Sequence, residues 1–325
     1  MDPIRFSDIN DSQEFSSKAL EVFNYQYRNN KVYQDFCDFL GVAVSKVKCI
    51  ENIPFLPIEF FRTKQVLSTT KTASIVFSSS GTTGSRPSKH HVPEISLYEQ
   101  SFRKGFELFY GNVKEYCILA LLPSYLEREG SSLVYMVNDL IQQSDHPESG
   151  FYLENRDVLA ERLARLDNQG VKVLLIGVSF ALLDMAETYS FQLRNTVIME
   201  TGGMKGRRKE LIREELHKKI KSGFGVNTVH SEYGMTELLS QAYSKGNGIF
   251  YTPPWMKVLV RDTEDPLSWH PEGRSGGINI IDLANFYSCS FLATQDLGKI
   301  REDGGFEILG RFDHADVRGC NLMVL

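Results

Sequence analysis

The sequence predicts an α/β protein, with largely parallel sheets flanked by helices and a smaller β-rich subdomain at the C-terminal side. Three observations carry this. From residue 72 onward, short apolar runs at 74–77, 116–122, 171–176, 196–199 and 226–230 alternate with helical segments. Within these runs the apolar residues are consecutive rather than alternate, the pattern of strands buried on both faces of a parallel sheet. Beyond about residue 249 the pattern changes to short strands at 258–260, 277–281 and 306–309, separated by Gly, Asp and Pro turns. Finally, a chain of 325 residues with 42% hydrophobic content is long enough for two or more packed layers.

The elements follow in chain order. Residues 12 to about 40 set Leu20, Val22, Phe23 and Tyr27 at roughly helical spacing and predict an N-terminal helical layer. Pro54 and Pro57 then interrupt the chain around the apolar cluster 55–61. The clearest later helices are 157–168, stopped by Gly170, and 208–221, stopped by Gly223. The expected division is an N-terminal helical segment at 1–70, an α/β core at 71–248, and a β-rich subdomain with a short tail at 249–325.

Composition narrows the function. A net charge of −5 leaves no polybasic footprint for nucleic acid or an acidic membrane. No apolar run approaches the roughly 20 residues of a membrane span. The start Met1-Asp2-Pro3-Ile4-Arg5-Phe6 is unlike a signal peptide. The five cysteines, Cys37, Cys49, Cys117, Cys289 and Cys320, are widely spaced, with no C-x-x-C or H-E-x-x-H, so neither a disulfide frame nor a zinc site is expected. A reducing, cytoplasmic home follows. His90 and His91 are no metal pair, because neighbours on a strand face opposite ways; they are expected beside a bound ligand or in solvent. Trp255, after two prolines, reads as a core anchor.

Four motifs are expected to follow strands, where open α/β sheets bind ligands. The first is Ser78-Ser79-Ser80-Gly81-Thr82-Thr83-Gly84-Ser85-Arg86-Pro87-Ser88-Lys89, a hydroxyl- and glycine-rich loop after an apolar strand. Its amides and hydroxyls suit anionic oxygens, and its glycines allow close approach. It lacks the Gly-Lys-Ser/Thr of a Walker loop and the Gly-x-Gly-x-x-Gly of a dinucleotide fold. The others are Glu200-Thr201-Gly202-Gly203-Met204-Lys205, Tyr233-Gly234-Met235-Thr236-Glu237, and Thr294-Gln295-Asp296-Leu297-Gly298 followed by Gly310-Arg311. Singly, each is an ordinary loop or turn; Thr236, for instance, would serve as a helix N-cap.

In this order and at these spacings the motifs resemble the adenylate-forming superfamily of acyl-CoA synthetases, peptide-synthetase adenylation domains and luciferases, over roughly residues 70 to 320. The resemblance implies the fold of that superfamily's large N-terminal domain, ATP and Mg²⁺, and a carboxylic acid converted to an acyl adenylate with release of pyrophosphate. It assigns the β- and γ-phosphates to Ser79, Ser80, Gly81, Thr82, Thr83 and Gly84, with Lys89 as a point charge. Thr236 would donate to the α-phosphate and Glu237 would hold Mg²⁺. Gly202 and Gly203 would wall the adenine, Tyr233 beside Gly234 would stack on its other face, and Asp296 and Arg311 would meet the ribose. Gln295 stands where the family commonly has Gly.

Three further stretches, 55–61, Leu122-Pro123-Ser124-Tyr125-Leu126-Glu127-Arg128 and Asp316-Val317-Arg318-Gly319-Cys320, resemble the acyl-protein synthetases of bacterial bioluminescence. That branch implies a fatty acid, an acyl thioester on Cys320, and an acyl-accepting partner of the reductase type. Arg318 and His314 would lower the thiol's pKa. The chain stops near where the superfamily's small C-terminal domain would begin, so that domain and its lysine are expected to be absent, with Lys89 or Lys205 to compensate. The alternatives are an AMP-forming acyl-CoA synthetase or phenylacetate-CoA-ligase-like enzyme, a non-catalytic adenylate-binding protein, and a serine acyl hydrolase or transferase built on Gly177-Val178-Ser179-Phe180-Ala181, which approximates a nucleophile elbow.

Overall fold

The computed structural model describes residues 2–79, 86–123, 130–202 and 211–312. The chain opens with helices α1 (Ser12–Asn29) and α2 (Lys31–Phe39). Asp11 starts α1 by accepting from the amides of Gln13 and Glu14 at 2.8 Å, and Asn30 ends it while capping α2 through the Tyr33 amide. Phe15, Ala19, Val22, Phe23 and Gln26 form the buried stripe of α1. A two-residue strand β1 (Leu56–Pro57) and a short helix α3 (Phe60–Thr63) follow.

Strands β2 (Ile75–Ser78) and β3 (Lys89–Val92) form an antiparallel hairpin that brackets the glycine-rich loop. After α4 (Ile95–Tyr110) comes the main α/β unit. Its elements are β4 (Cys117–Leu121), α5 (Ser132–Ser144), β5 (Gly150–Phe151), α6 (Arg156–Asn168), β6 (Val173–Val178), α7 (Ser179–Thr188), β7 (Thr196–Thr201), α8 (Arg213–Phe224), β8 (His230–Tyr233) and β9 (Ala242–Ser244). The sheet order is β5-β4-β6-β7-β8-β9, parallel except for β9. Strands β4 and β6 are buried at every position, as their consecutive apolar residues require.

A second sheet holds β10 (Ile249–Phe250), β11 (Met256–Arg261), β12 (Gly276–Asp282), β13 (Phe291–Ile300) and β14 (Phe306–Arg311), in the order β10-β14-β13-β12-β11, antiparallel throughout. The short β1 adds to β13 in parallel, so the N-terminal segment is stitched to the far end of the chain. Trp255 is the expected anchor: it stacks on Phe6 at 4.5 Å between ring centroids, and its indole N–H donates to Ser101 and Ser240.

Three expectations need correction. The helix expected at 208–221 runs to Phe224 and passes through Gly223; it stops at Gly225, in the left-handed conformation with φ 66°. Gly223 is a contact rather than a stop, because a Cβ there would lie 2.3 Å from the Ala186 carbonyl oxygen of α7. The strand expected at 226–230 begins only at His230. Residues 226–229 instead climb from the end of α8 to the point where β8 can pair with Met199 of β7. The Thr294–Gly298 motif does not follow a strand but lies inside β13, ten residues long and not anticipated. Its polar residues Thr294, Gln295 and Asp296 interrupt the apolar signal.

Candidate active site

The carboxyl ends of β7 and β8, the base of the β2–β3 hairpin and strands β13 and β14 of the second sheet converge around residues 233–237. Tyr233 is the last residue of β8 rather than a loop residue beyond it. Its hydroxyl donates to Asp296 Oδ2 at 2.7 Å. Asp296 faces Arg311 across the β13–β14 ladder, and Arg311 Nε lies 3.2 Å from Asp296 Oδ1. Asp296 is only 7% exposed, and burial pushes its carboxyl up in pKa against the Tyr233 hydroxyl and the Arg311 charge. The expected ribose residues and the expected stacking tyrosine are thus one hydrogen-bonded cluster.

Beyond Tyr233 the chain turns without starting a helix, so Thr236 is no N-cap. Gly234 leaves room for the Glu232 carboxylate, since a Cβ here would sit 2.5 Å from Glu232 Oε1. Glu237 is 5% exposed; burial pushes its carboxyl up, against a hydrogen bond from the Ser88 side chain. Ser88 also closes the base of the glycine-rich loop: its amide donates to Ser79 Oγ at 2.9 Å, and Ser79 N donates to Ser88 O at 3.1 Å. Glu237 therefore stands against the loop base; Lys89, the residue after Ser88 and the first of β3, is exposed. Asp282 of β12 holds the next stretch by accepting from the amides of Leu239 and Ser240.

Two residues hold this turn in a role that the sequence did not assign to them. His90 is fully buried rather than in solvent; its Nδ1 is 2.8 Å from Thr236 O and its Nε2 is 3.0 Å from Asn285 Oδ1. Asn285 Nδ2 donates to Glu237 O at 2.7 Å. Both ring nitrogens thus face oxygens, while a neutral imidazole has one N–H. Burial lowers the ring's pKa to about 4, outweighing the two contacts that favour its charged form. At neutral pH one nitrogen carries the proton, and the shorter contact favours Nδ1. The signal was available in outline, as a histidine directly after the phosphate-type loop, but its partners lie 146 and 195 residues away.

At the end of β7, Gly202 adopts φ 64°. Beneath it, the single hydroxyl proton of Ser179 is shared between Glu200 Oε2, at 2.8 Å, and Gly202 O. Ser231 donates to Glu200 Oε1 at 3.1 Å, and His217 Nε2 lies 3.4 Å from the same oxygen. Burial pushes the Glu200 carboxyl up, but His217, Arg213 and Ser179 bring it below its ordinary value. This overturns the nucleophile-elbow reading: the Ser179 hydroxyl is spent on a carboxylate and a carbonyl, and the histidine meets the carboxylate instead of the serine. Ser80, Gly81, Thr82, Thr83, Gly84, Gly203, Lys205 and Cys320 lie outside the described residues. A cleft of about 570 Å³ at the opposite strand ends, near Arg194, Thr228 and His230, is remote from this chemistry.

The whole chain, residues 1–325, matches the family described as Acyl-protein synthetase, LuxE. The chain belongs to the acyl-protein synthetase family. A curated relative from Vibrio harveyi, named long-chain-fatty-acid–luciferin-component ligase, is 23% identical over 349 residues, covering 97% of this chain and 88% of its own. Among solved structures, 2-hydroxyisobutyryl-CoA ligase in its postadenylation state gives a TM-score of 0.70 at 13% identity, over 93% of this chain and 68% of that one. ATP-bound MatB from Rhodopseudomonas palustris gives 0.56 at 17% identity, over 73% of this chain. The chain spans about half (47%) of MatB's length. The acyl-protein synthetase thus has the adenylate-forming fold, and the resemblance read from its motifs is borne out. As a member of that family it is a ligase that activates an acid and transfers the acyl group.

Proposed function

We propose that this acyl-protein synthetase uses ATP to convert a carboxylic acid, a fatty acid first among candidates, into an acyl adenylate, and then passes the acyl group to a thiol. A carboxylate oxygen attacks the α-phosphorus, the bond from that phosphorus to the bridging oxygen breaks, and pyrophosphate leaves. A thiolate then attacks the carbonyl carbon and AMP leaves. The observation that carries this reading is the convergence of Thr236, Glu237, the Ser79–Ser88 loop base and the Tyr233–Asp296–Arg311 cluster on one turn. Such a site can hold both ends of a nucleotide while charge separates along its phosphates.

In this reading Thr236 donates to the α-phosphate. Asp296 accepts from the ribose with Arg311 alongside, and Gly202, Gly203 and Tyr233 with Gly234 enclose the adenine. The loop residues Ser79, Ser80, Gly81, Thr82, Thr83 and Gly84, with Lys89, cradle the departing pyrophosphate. Glu237 fits Mg²⁺: it is a buried carboxylate beside the loop base, its pKa raised by burial, and a hard cation favours carboxylate oxygens. The ion would neutralise phosphate charge. The thiol is Cys320 or that of an acyl-accepting, reductase-type partner. The three-part division at 1–70, 71–248 and 249–325 and a cytoplasmic location belong to the same proposal; no described helix is long and apolar enough to cross a membrane.

The test is carboxylate-dependent exchange of pyrophosphate into ATP with Mg²⁺, over fatty, aromatic and amino acids. Fatty acids are expected to support exchange, and Glu237→Gln or Thr236→Ala to lower it by about 100-fold or more. Full activity in both variants would refute the site. ATP binding without exchange for any acid would favour a non-catalytic nucleotide-binding protein.

A further inference from the structure

The hairpin that carries the phosphate-type loop and the turn that carries Thr236 and Glu237 are far apart in sequence, yet the proposed reaction needs both in register. His90 lies on β3, one residue past Lys89, and its ring reaches the Thr236 carbonyl at 2.8 Å. Asn285, just after β12, reaches the Glu237 carbonyl at 2.7 Å and the same ring at 3.0 Å. Neither side chain is exposed: both are 0% accessible. Phe61 closes the ring edge-on at 5.5 Å between centroids. Asn285 is fixed in turn, since its carbonyl accepts from Gln26 Nε2 at 3.0 Å and its amide donates to Asp282 O at 3.1 Å.

We propose that His90 and Asn285 are positioning residues for acid activation: they clamp the carbonyls of Thr236 and Glu237 and so set the distance of both side chains from the Ser79–Ser88 base of the hairpin that carries His90. The inference rests on the function proposed above. Neither residue touches substrate. Their effect is geometric, because the Thr236 hydroxyl and the Glu237 carboxylate are each one residue's torsions from a clamped carbonyl, and small misplacements of such groups cost rate steeply. The donor count makes Asn285 the sensitive member. With the ring proton on Nδ1, an amide turned to donate to Nε2 would release Glu237, so the setting that holds Glu237 leaves Nε2 facing Oδ1. The clamp persists because the surrounding backbone holds Asn285 in place.

The experiment uses the full chain as wild type, His90→Gln, Asn285→Asp and the double variant. Pyrophosphate exchange is measured against ATP and Mg²⁺ concentration, together with melting curves. Aspartate cannot donate to the Glu237 carbonyl, and the clamp predicts a 10–100-fold fall in kcat for each single variant. It also predicts a several-fold rise in the Mg²⁺ needed for half-maximal rate, and a double variant no worse than the poorer single one within about twofold. Rates that merely follow the folded fraction, with unchanged Mg²⁺ dependence and additive penalties, would overturn it. An activity-independent arm is nitrogen-15 NMR of the imidazole at neutral pH. A protonated Nδ1 supports the clamp, and a bare Nδ1 overturns it. Should the wild type exchange no acid, the proposed function fails while the ring spectrum still decides whether His90 holds Thr236.

Discussion

At the scale of single residues, burial sets the chemistry. His90 and His230 both have pKa values lowered to about 4, chiefly by burial. A histidine held below its unfolded value near 6.5 binds fewer protons folded than unfolded between those limits, so stability falls as pH drops from about 6.5 towards 4. For His90 the full shift corresponds to about 3 kcal/mol. Denaturant titrations of wild type and His90→Gln across that window should show a shallower acid loss in the variant; parallel curves would mean that the ring is not neutral in the fold. The thiols divide the same way. Burial pushes Cys117 up to about 11 and Cys37 up to about 12, and raises Cys289 further, so these are poor nucleophiles at neutral pH. Cys49 is exposed. With a radiolabelled fatty acid and ATP, hydroxylamine-sensitive label is expected to vanish in Cys320→Ser and persist in Cys49→Ser. The reverse pattern would relocate the acyl thiol.

At the scale of elements, close packing explains what periodicity misread. Gly223 looks like a helix stop, but α8 needs it so that its backbone can meet α7 at Ala186. Gly223→Ala should therefore destabilise the protein by about 1–3 kcal/mol or more, despite alanine's better helix propensity. An unchanged urea midpoint would mean that the two helices part at no cost. Strand β13 was missed because Thr294, Gln295 and Asp296 interrupt its apolar run, and what satisfies polar groups there lies far off in sequence. Buried Arg261 donates to the Thr294 carbonyl, and Asp296 is satisfied by Tyr233 and Arg311. Where apolar residues are consecutive, as in β4 and β6, the elements were legible within about two residues.

At the scale of the whole molecule, the N-terminal helices act as a brace for the site. Gln26 of α1 donates to the carbonyls of Asn285 and Phe286 and accepts from the Ser290 amide, while Asn30 donates to the Ser288 carbonyl. The segment they hold, 285–290, carries the Asn285 side chain. Gln26→Leu would leave these buried groups unpaired, at about 1–3 kcal/mol for each one. It should lower the melting temperature and raise the Mg²⁺ requirement of exchange together; a change in stability alone would separate the brace from the site.

Local pattern alone determined the layered α/β class, the change to short strands after residue 249 and the short motifs with their order, because apolar periodicity and glycine-rich loops are properties of neighbouring residues. It also named Thr236, Glu237, Tyr233 and Asp296 through their resemblance to a family. Only the tertiary structure decided that Tyr233, Asp296 and Arg311 form one cluster, that Ser179 is bound to Glu200 rather than poised as a nucleophile, and that His90 and Asn285 grip the Thr236–Glu237 turn. Those contacts join residues tens to hundreds of positions apart. A buried polar group takes whichever partner the packing of distant elements brings within about 3 Å, and no local spacing encodes that choice.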